Sequence, residues 1–423
     1  MDSIRTRCCV VGGGPAGVMH GLLLARAGVD VVVLEKHADF FRDFRGDTIH
    51  PSTLELMYEL GVLDDFLKLP HQNTPTITAR FGDYEATVAD FTHLSTHCKF
   101  IAMMPQWDFL NFMAGVGKRY RTFGLRMETE ATGLIDDGGK VVGVKAKTPK
   151  GDLEIYADLV VAADGRHSTV RDASGFHVEE LGAPMDVLWF RLPHKPQDPP
   201  STTFFFEAGH VVILLDRGDY WQIAYIIPKG GFDAMKASGM AAFFADLTHI
   251  APFLADRTSD LKSWDDIKLL SVQVDRLKTW HRPGLLLIGD AAHAMSPIGG
   301  VGVNLAVQDA VAAANILAGP LKKGDLTEED LAAVQARREF PVRVTQKMQV
   351  MIQNHVISPL LGKSDELRPP LPVRLAEHFS PLRRLPAHLI GVGIRPEHVE
   401  TPEDPSALVG ASPSGGPAKK AAA

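Results

Sequence analysis

Cysteine is scarce in this chain of 423 residues: there are 3, and two of them, Cys8 and Cys9, are neighbours in one apolar run. Thiols so placed build neither a disulfide framework nor a metal-ligand set, and they fit a reducing, cytoplasmic setting. A basic excess is missing as well. Lys and Arg total 44 against 51 Asp and Glu, for a formal charge of -7, which argues against a nucleic-acid-binding surface. No apolar run approaches the length needed to cross a bilayer, and the run that follows Arg5 and Arg7 is broken at Gly12. Neither a membrane span nor a signal peptide is expected. Internal repeats are absent, which excludes a solenoid. What is left, 45% hydrophobic and 22% charged, is ordinary globular composition with room for two domains.

Against that background one stretch stands out, from Cys8 to Lys36. An apolar run ends in Gly12-Gly13-Gly14-Pro15-Ala16-Gly17; an apolar helix pattern follows, then a β-branched run that stops at Leu34-Glu35-Lys36. Strand, glycine turn, helix, strand, acid is the βαβ unit that holds an ADP moiety. Gly12 allows the tight turn, Gly14 lets the backbone approach a pyrophosphate, and Gly17 lets the helix pack close to the strand. The unpaired N–H groups and dipole at the helix start favour phosphate. Glu35 is placed to accept bonds from ribose hydroxyls.

Further along, Arg45 and Asp47 lie in a polar loop before a helix opened by Pro51. Thr76 to Phe91 alternates as two strands of a different sheet, and Gln106 follows an apolar run at the start of a helix pattern. A buried strand then ends in Ala163-Asp164-Gly165-Arg166-His167-Ser168. Between Leu181 and Val274 strands dominate, with aromatic side chains throughout and the strands 76–91 as their expected partners. Alternation along Tyr220–Ile227 sets Trp221, Ile223 and Tyr225 on one face and Tyr220, Gln222 and Ala224 on the other. Either face offers an aromatic platform. Another buried strand ends in Gly289-Asp290-Ala291-Ala292-His293, and Pro297, Gly302, Val303 and Asn304 lead into a long helix. Thr327 caps a second long helix. The stretch after Thr401, rich in Pro, Ser, Gly, Ala and Lys, is expected to be disordered.

The three motifs together, GGGPAG, ADGRHSTVR and GDAAHAMSPIGGVGVNLAVQD, resemble those of the single-component flavoprotein aromatic hydroxylases, the family of p-hydroxybenzoate hydroxylase, over roughly residues 5 to 355. The resemblance implies an α/β fold: a Rossmann-like FAD-binding domain of the glutathione-reductase type with an inserted, mostly antiparallel sheet that binds substrate. The FAD-binding domain is expected over 1–75, 98–180 and 275–326, and the sheet domain over 76–97 and 181–274. A C-terminal helical segment, 327–400, and the tail 401–423 complete the division.

Carried over by position, the resemblance gives Gly12, Gly14, Pro15, Ala16, Gly17, Glu35 and Lys36 to the ADP half of FAD. Arg45 goes to the pyrophosphate region, Gln106 to the ribityl chain, and Asp164 with Gly165 to a motif linked to both FAD and NAD(P)H. Asp290 would take the ribityl hydroxyls, and Gly302, Val303 and Asn304 would face the pyrimidine edge. Pro297 would lie beside the reacting flavin carbon, with Asp47 and His293 as further catalytic candidates. His293 also reads as a packing residue, and Asp164 as a turn carboxylate tied to local amides. The chemistry implied is reduction of FAD by NADH or NADPH, addition of O2 to give a flavin hydroperoxide, and hydroxylation of an aromatic ring.

Trp221, Gln222, Tyr225 and Arg191 are the substrate-side candidates. The arginine and serine that grip the carboxylate of hydroxybenzoate have no matched counterpart, so a phenol or polycyclic aromatic is at least as well supported as a benzoate. No second nucleotide fingerprint and no CxxC pair accompany the first, which argues against a flavin disulfide reductase. A reductase or dehydrogenase of hydrophobic substrates, a halogenase and a non-catalytic FAD-binding protein remain as alternatives, and a homodimer is implied.

Overall fold

The computed structural model describes residues 2–41, 48–199, 202–207, 209–361, 373–375, 379 and 381–410. Arg45 and Asp47 lie outside the described residues. Two sheets organise the chain. The first is built on strand β1 (Asp2–Val11), which pairs in parallel with β2 (Val31–Leu34) on one side and with Gly151–Ala162 on the other. Leu285–Leu287 and Phe123–Arg126 extend it in parallel at either end. Its central strands are buried where they pair, Cys8 to Val11 with Val31, Val33 and Leu34 among them. Helix α1 (Pro15–Arg26) crosses from β1 to β2 and packs against the long helix Gly302–Lys323.

The second sheet has seven strands in the order 268–270, 185–193, 220–228, 210–216, 203–207, 76–81, 84–90. All neighbours are antiparallel except Thr203–Glu207 and Thr76–Phe81, which run parallel. That one junction is where the early hairpin joins strands made much later. The fold is thus a parallel, nucleotide-type sheet with a mostly antiparallel sheet inserted.

The two faces of the second sheet differ. Leu188, Phe190, Trp221, Ile223, Tyr225 and Ile227 form one continuous core with Phe243 and Leu247 of the helix Met240–Ile250. On the opposite face Val187, Ala224 and Ile226 share a cluster with Trp189, Ile213 and Ile298, while Leu215, Trp189, Ile213 and Phe204 meet Ile101, Met103 and Ile390. The second face therefore looks toward the loop after Pro297.

Two features depart from what composition predicts. Ile298–Lys323 is long and apolar enough to cross a membrane, but 78% of its most apolar window is buried inside the protein. Its apolar surface serves the core. Residues 401–410 are not disordered: Tyr120 bridges to Leu408, the Arg121 N–H donates to the Ala407 carbonyl at 2.7 Å, and Lys322 reaches Asp404 at 2.8 Å. Long-range bonds hold a segment whose composition alone could not. Residues 411–423 lie outside the described residues.

Candidate active site

The first glycine turn joins β1 to α1. Gly12 has φ +106°, and a Cβ on it would lie 2.4 Å from the Ala163 carbonyl oxygen. A Cβ on Gly17 would meet the Gly12 carbonyl at 1.9 Å, so helix and strand touch there backbone to backbone. Gly14 is different: nothing lies within 4 Å of where its Cβ would be. The open side of the turn is at Gly14, where Pro15 and Ala16 begin a helix with no side-chain cap and no acid in its first turn. Uncapped N–H groups beside open space suit a pyrophosphate.

Glu35, at the end of β2, accepts the Gly13 N–H at 3.2 Å and the His37 N–H at 3.0 Å. Lys36 is exposed. Asp164 follows the neighbouring strand. Its carboxylate accepts Ser168 Oγ at 2.5 Å and the Val170 N–H at 3.2 Å, and burial pushes its pKa up. It acts as the turn carboxylate for the helix Thr169–Ser174, while Gly165, with φ +86°, reverses the chain beside it.

Asp290 lies in the turn after Leu285–Leu287 and is partly exposed. Its Oδ2 accepts Arg166 Nε at 3.1 Å, which joins the second motif to the third. Arg166 Nη1 is buried and takes no partner among the described residues.

His293, three residues on, is buried. Its Nε2 lies 2.6 Å from Asp309 Oδ2, and its ring packs 5.0 Å from that of Trp280. Asp309 also accepts the Gly289 N–H at 3.0 Å and Arg338 Nε at 2.9 Å. These cationic and imidazole partners hold the Asp309 carboxyl below the usual carboxylate range against the cost of its burial. His293 is thus held against a buried acid, an arrangement that favours its packing reading over the catalytic one.

The loop after Pro297 carries Gly299 and Gly300 at positive φ. The Gly300 carbonyl accepts Thr48 Oγ1 at 3.1 Å and faces His50 Nε2 at 3.1 Å; His50 Nδ1 lies 2.8 Å from the Ile390 carbonyl. Burial lowers the His50 pKa to about 4, so the ring is neutral at pH 7 and donates to one carbonyl at a time. The helix Gly302–Lys323 then starts with no side-chain cap and no acid in its first turn. The Asn304 side chain is engaged elsewhere, its oxygen accepting Ser52 Oγ at 2.7 Å and Thr53 Oγ1 at 2.8 Å at the start of α2 (Pro51–Glu59). What Gly302, Val303 and Asn304 can offer a ligand is backbone N–H at a helix start. Gln106 opens the helix Gln106–Gly117, partly exposed.

The substrate-side candidates divide. Trp221 is 0% exposed on the helix-covered face, where its Nε1 donates to Asp198 at 2.8 Å. Tyr225 shares that face, its hydroxyl 2.6 Å from His210 Nδ1. The helix Met240–Ile250 covers their side of the sheet, which speaks against either as a lining residue. Gln222 is on the open face, buried, and accepts Arg217 Nε at 3.1 Å; Arg191, its register partner, is exposed. Sequence reasoning missed the roles of Arg166 and Asp309. Asp309 had a usable signal, as the lone acid of the apolar helix 302–323 that must find a buried partner.

Two uncapped helix starts facing open or partly exposed loops, a carboxylate at a strand end and a glycine cradle make a donor set that fits a dinucleotide carrying a reducible ring system. The site defines a flavin-nucleotide protein. The model of the FAD binding domain family matches residues 5–348, and the chain belongs to that family. It is 34% identical over 371 residues to the 6-methylpretetramide 4-monooxygenase of Streptomyces rimosus, covering 84% of this chain and 86% of that one. With the para-nitrophenol 4-monooxygenase of Pseudomonas sp. (strain WBC-3) the identity is 27%, over 78% and 82%. The solved p-nitrophenol 4-monooxygenase PnpA of Pseudomonas putida DLL-E4 shares the fold, with a TM-score of 0.71 at 21% identity over 92% and 94% of the chains. The protein is an FAD-dependent aromatic monooxygenase.

Proposed function

We propose that the protein uses NADH or NADPH and O2 to hydroxylate a phenolic or polycyclic aromatic compound. The compound would lie between the open face of the seven-stranded sheet and the loop Pro297–Asn304. One observation carries this reading. Trp189, Phe204 and Ile213 on the sheet, and Ile298 and Ile390 across from them, are apolar yet only partly buried inside the fold. Partly exposed apolar walls on facing elements suit a flat apolar ligand. A fused-ring substrate is further supported by the relative named for 6-methylpretetramide.

FAD, when bound, supplies the oxygen activation. The chain's own residues bind and orient it. In this reading Gly14 and the start of α1 hold the pyrophosphate, Glu35 the ribose, Gln106 and Asp290 the ribityl chain. The N–H groups of Gly302, Val303 and Asn304 meet the edge of the ring system that gains negative charge on reduction. Pro297 stands beside the reacting position, and the apolar walls exclude water from it. The FAD-binding portion spans 1–75, 98–180 and 275–326, with 76–97 and 181–274 as its cover. A cytoplasmic setting is supported by three buried free thiols, and a homodimer by the family resemblance.

Anaerobic reduction of the bound flavin by NADH and by NADPH, with and without a panel of phenols and aromatic acids, tests the proposal. A compound that sharply accelerates reduction and is then hydroxylated in air is the expected result. No reduction by either nucleotide would overturn it.

A further inference from the structure

We propose that Arg166 is a positioning residue: it holds Asp290 for the cofactor and sets how strongly the site favours reduced over oxidised flavin. The inference rests on the assignment of Asp290 to the ribityl chain made above.

The strands Gly151–Ala162 and Leu285–Leu287 run side by side in parallel, with Ala162 opposite Leu287. Four residues past the one and three past the other, Arg166 and Asp290 meet, Nε to Oδ2, at 3.1 Å. Their side chains are 25% and 29% exposed, so the pair is partly shielded from bulk solvent. The guanidinium is carried there by a rigid turn. Gly165 reverses the chain at φ +86°, Asp164 anchors the turn to Ser168 and Val170, and Arg171 donates through Nη2 to the Arg166 carbonyl. Asp164, Ser168 and Arg171 thus brace the turn that carries this cation.

The consequence is electrostatic. Only Oδ2 of Asp290 is used by Arg166, and Oδ1 takes no partner among the described residues, which leaves it to accept hydroxyls. With Arg166 present the carboxylate is neutralised and its rotation fixed. Without it, an uncompensated negative charge would stand beside a ligand that itself becomes more negative on reduction. Reduced flavin would then be disfavoured more than oxidised flavin.

The test uses purified holoenzyme of the wild type, Arg166→Met, Arg166→Lys, Asp290→Asn and the Arg166→Met/Asp290→Asn double variant. The FAD dissociation constant and the two-electron midpoint potential are measured for each. Arg166→Met is expected to weaken oxidised FAD about tenfold and reduced FAD about a further tenfold, a fall of about 30 mV in potential. Arg166→Lys should restore most of it, and adding Asp290→Asn to Arg166→Met, which removes the uncompensated charge, should bring the potential back toward the wild-type value. If Arg166→Met does not fold, Arg166→Gln, which keeps N–H donors without the charge, should show the same fall. A wild-type potential in the folded neutral variant, or no recovery of the potential in the double variant, would overturn the role of Arg166. Unchanged FAD affinity in Asp290→Asn alone would instead overturn the ribityl assignment on which it rests.

Discussion

The two faces of the seven-stranded sheet are made of the same kinds of residue and are finished to different degrees. On the helix-covered face Trp221 gives its N–H to Asp198, which Arg257 grips with Nη2 at 3.0 Å, and Tyr225 meets His210. On the other face Trp189 is only partly buried, and its indole nitrogen finds no acceptor among the described residues. Buried polar groups are normally paired. Under the proposed function, the face that leaves both apolar area and the Trp189 donor open is the one offered to a ligand. Aromatic content alone does not separate the two faces.

Trp221→Ala should break the first face outright. Removing a fully buried indole costs about 3–5 kcal/mol, and Asp198 would lose a donor besides. Urea unfolding measures it. Stability near wild type with altered response to phenols would reverse the assignment of the two faces.

Acidification should act on the wall opposite the open face. His50 joins Gly300 to Ile390, and His20 is buried between α1 and the helix 302–323, with Nδ1 3.2 Å from the Ala310 carbonyl. Burial lowers both rings from 6.5 to about 4. Between those values the unfolded chain binds more protons than the folded one, so stability rises with pH across the window and falls as pH drops from about 6.5 to 4. Each ring contributes at most about 3 kcal/mol of that fall. Chemical denaturation at pH 7 and 4.5 should show the loss, and His20→Leu should flatten the slope; an unaltered slope would mean that His20 is not the titrating group.

Ile213→Trp should narrow the open face with little effect on folding. Acceleration of flavin reduction by a fused-ring phenol such as anthranol should drop about tenfold, and that by phenol itself much less. An equal drop for both would place the substrate elsewhere. Tyr225→Phe, on the sealed face, gives the smallest effect. Losing the bond to His210 should cost about 1 kcal/mol and leave flavin reduction untouched, as stopped-flow reduction would show.

Much of the FAD-binding half was legible from sequence because its demands are local. Gly12 needs its φ, Gly17 needs its close approach, and glycine is the residue that meets both. The sheet was legible as strands and not as a site. Period-two alternation distinguishes two faces only when one is polar, and along Tyr220–Ile227 both are apolar. The pairing of Arg166 with Asp290, and of Asp309 with His293 and Arg338, joins residues distant in sequence that no local pattern relates. The ordered segment 401–410 has the same explanation: its partners Tyr120, Arg121 and Lys322 come from three separate elements.

The parallel junction between Thr76–Phe81 and Thr203–Glu207 also has a temporal meaning. A ribosome delivers the hairpin 76–90 first and its sheet partner more than a hundred residues later, an interval of roughly 6–25 s at ordinary elongation rates. Throughout that interval the nascent hairpin presents an unpaired edge, Thr78 to Phe81, with apolar side chains beside it. The inserted sheet thus makes the growing chain a client for whatever shields such edges during translation, a requirement that the finished molecule no longer displays.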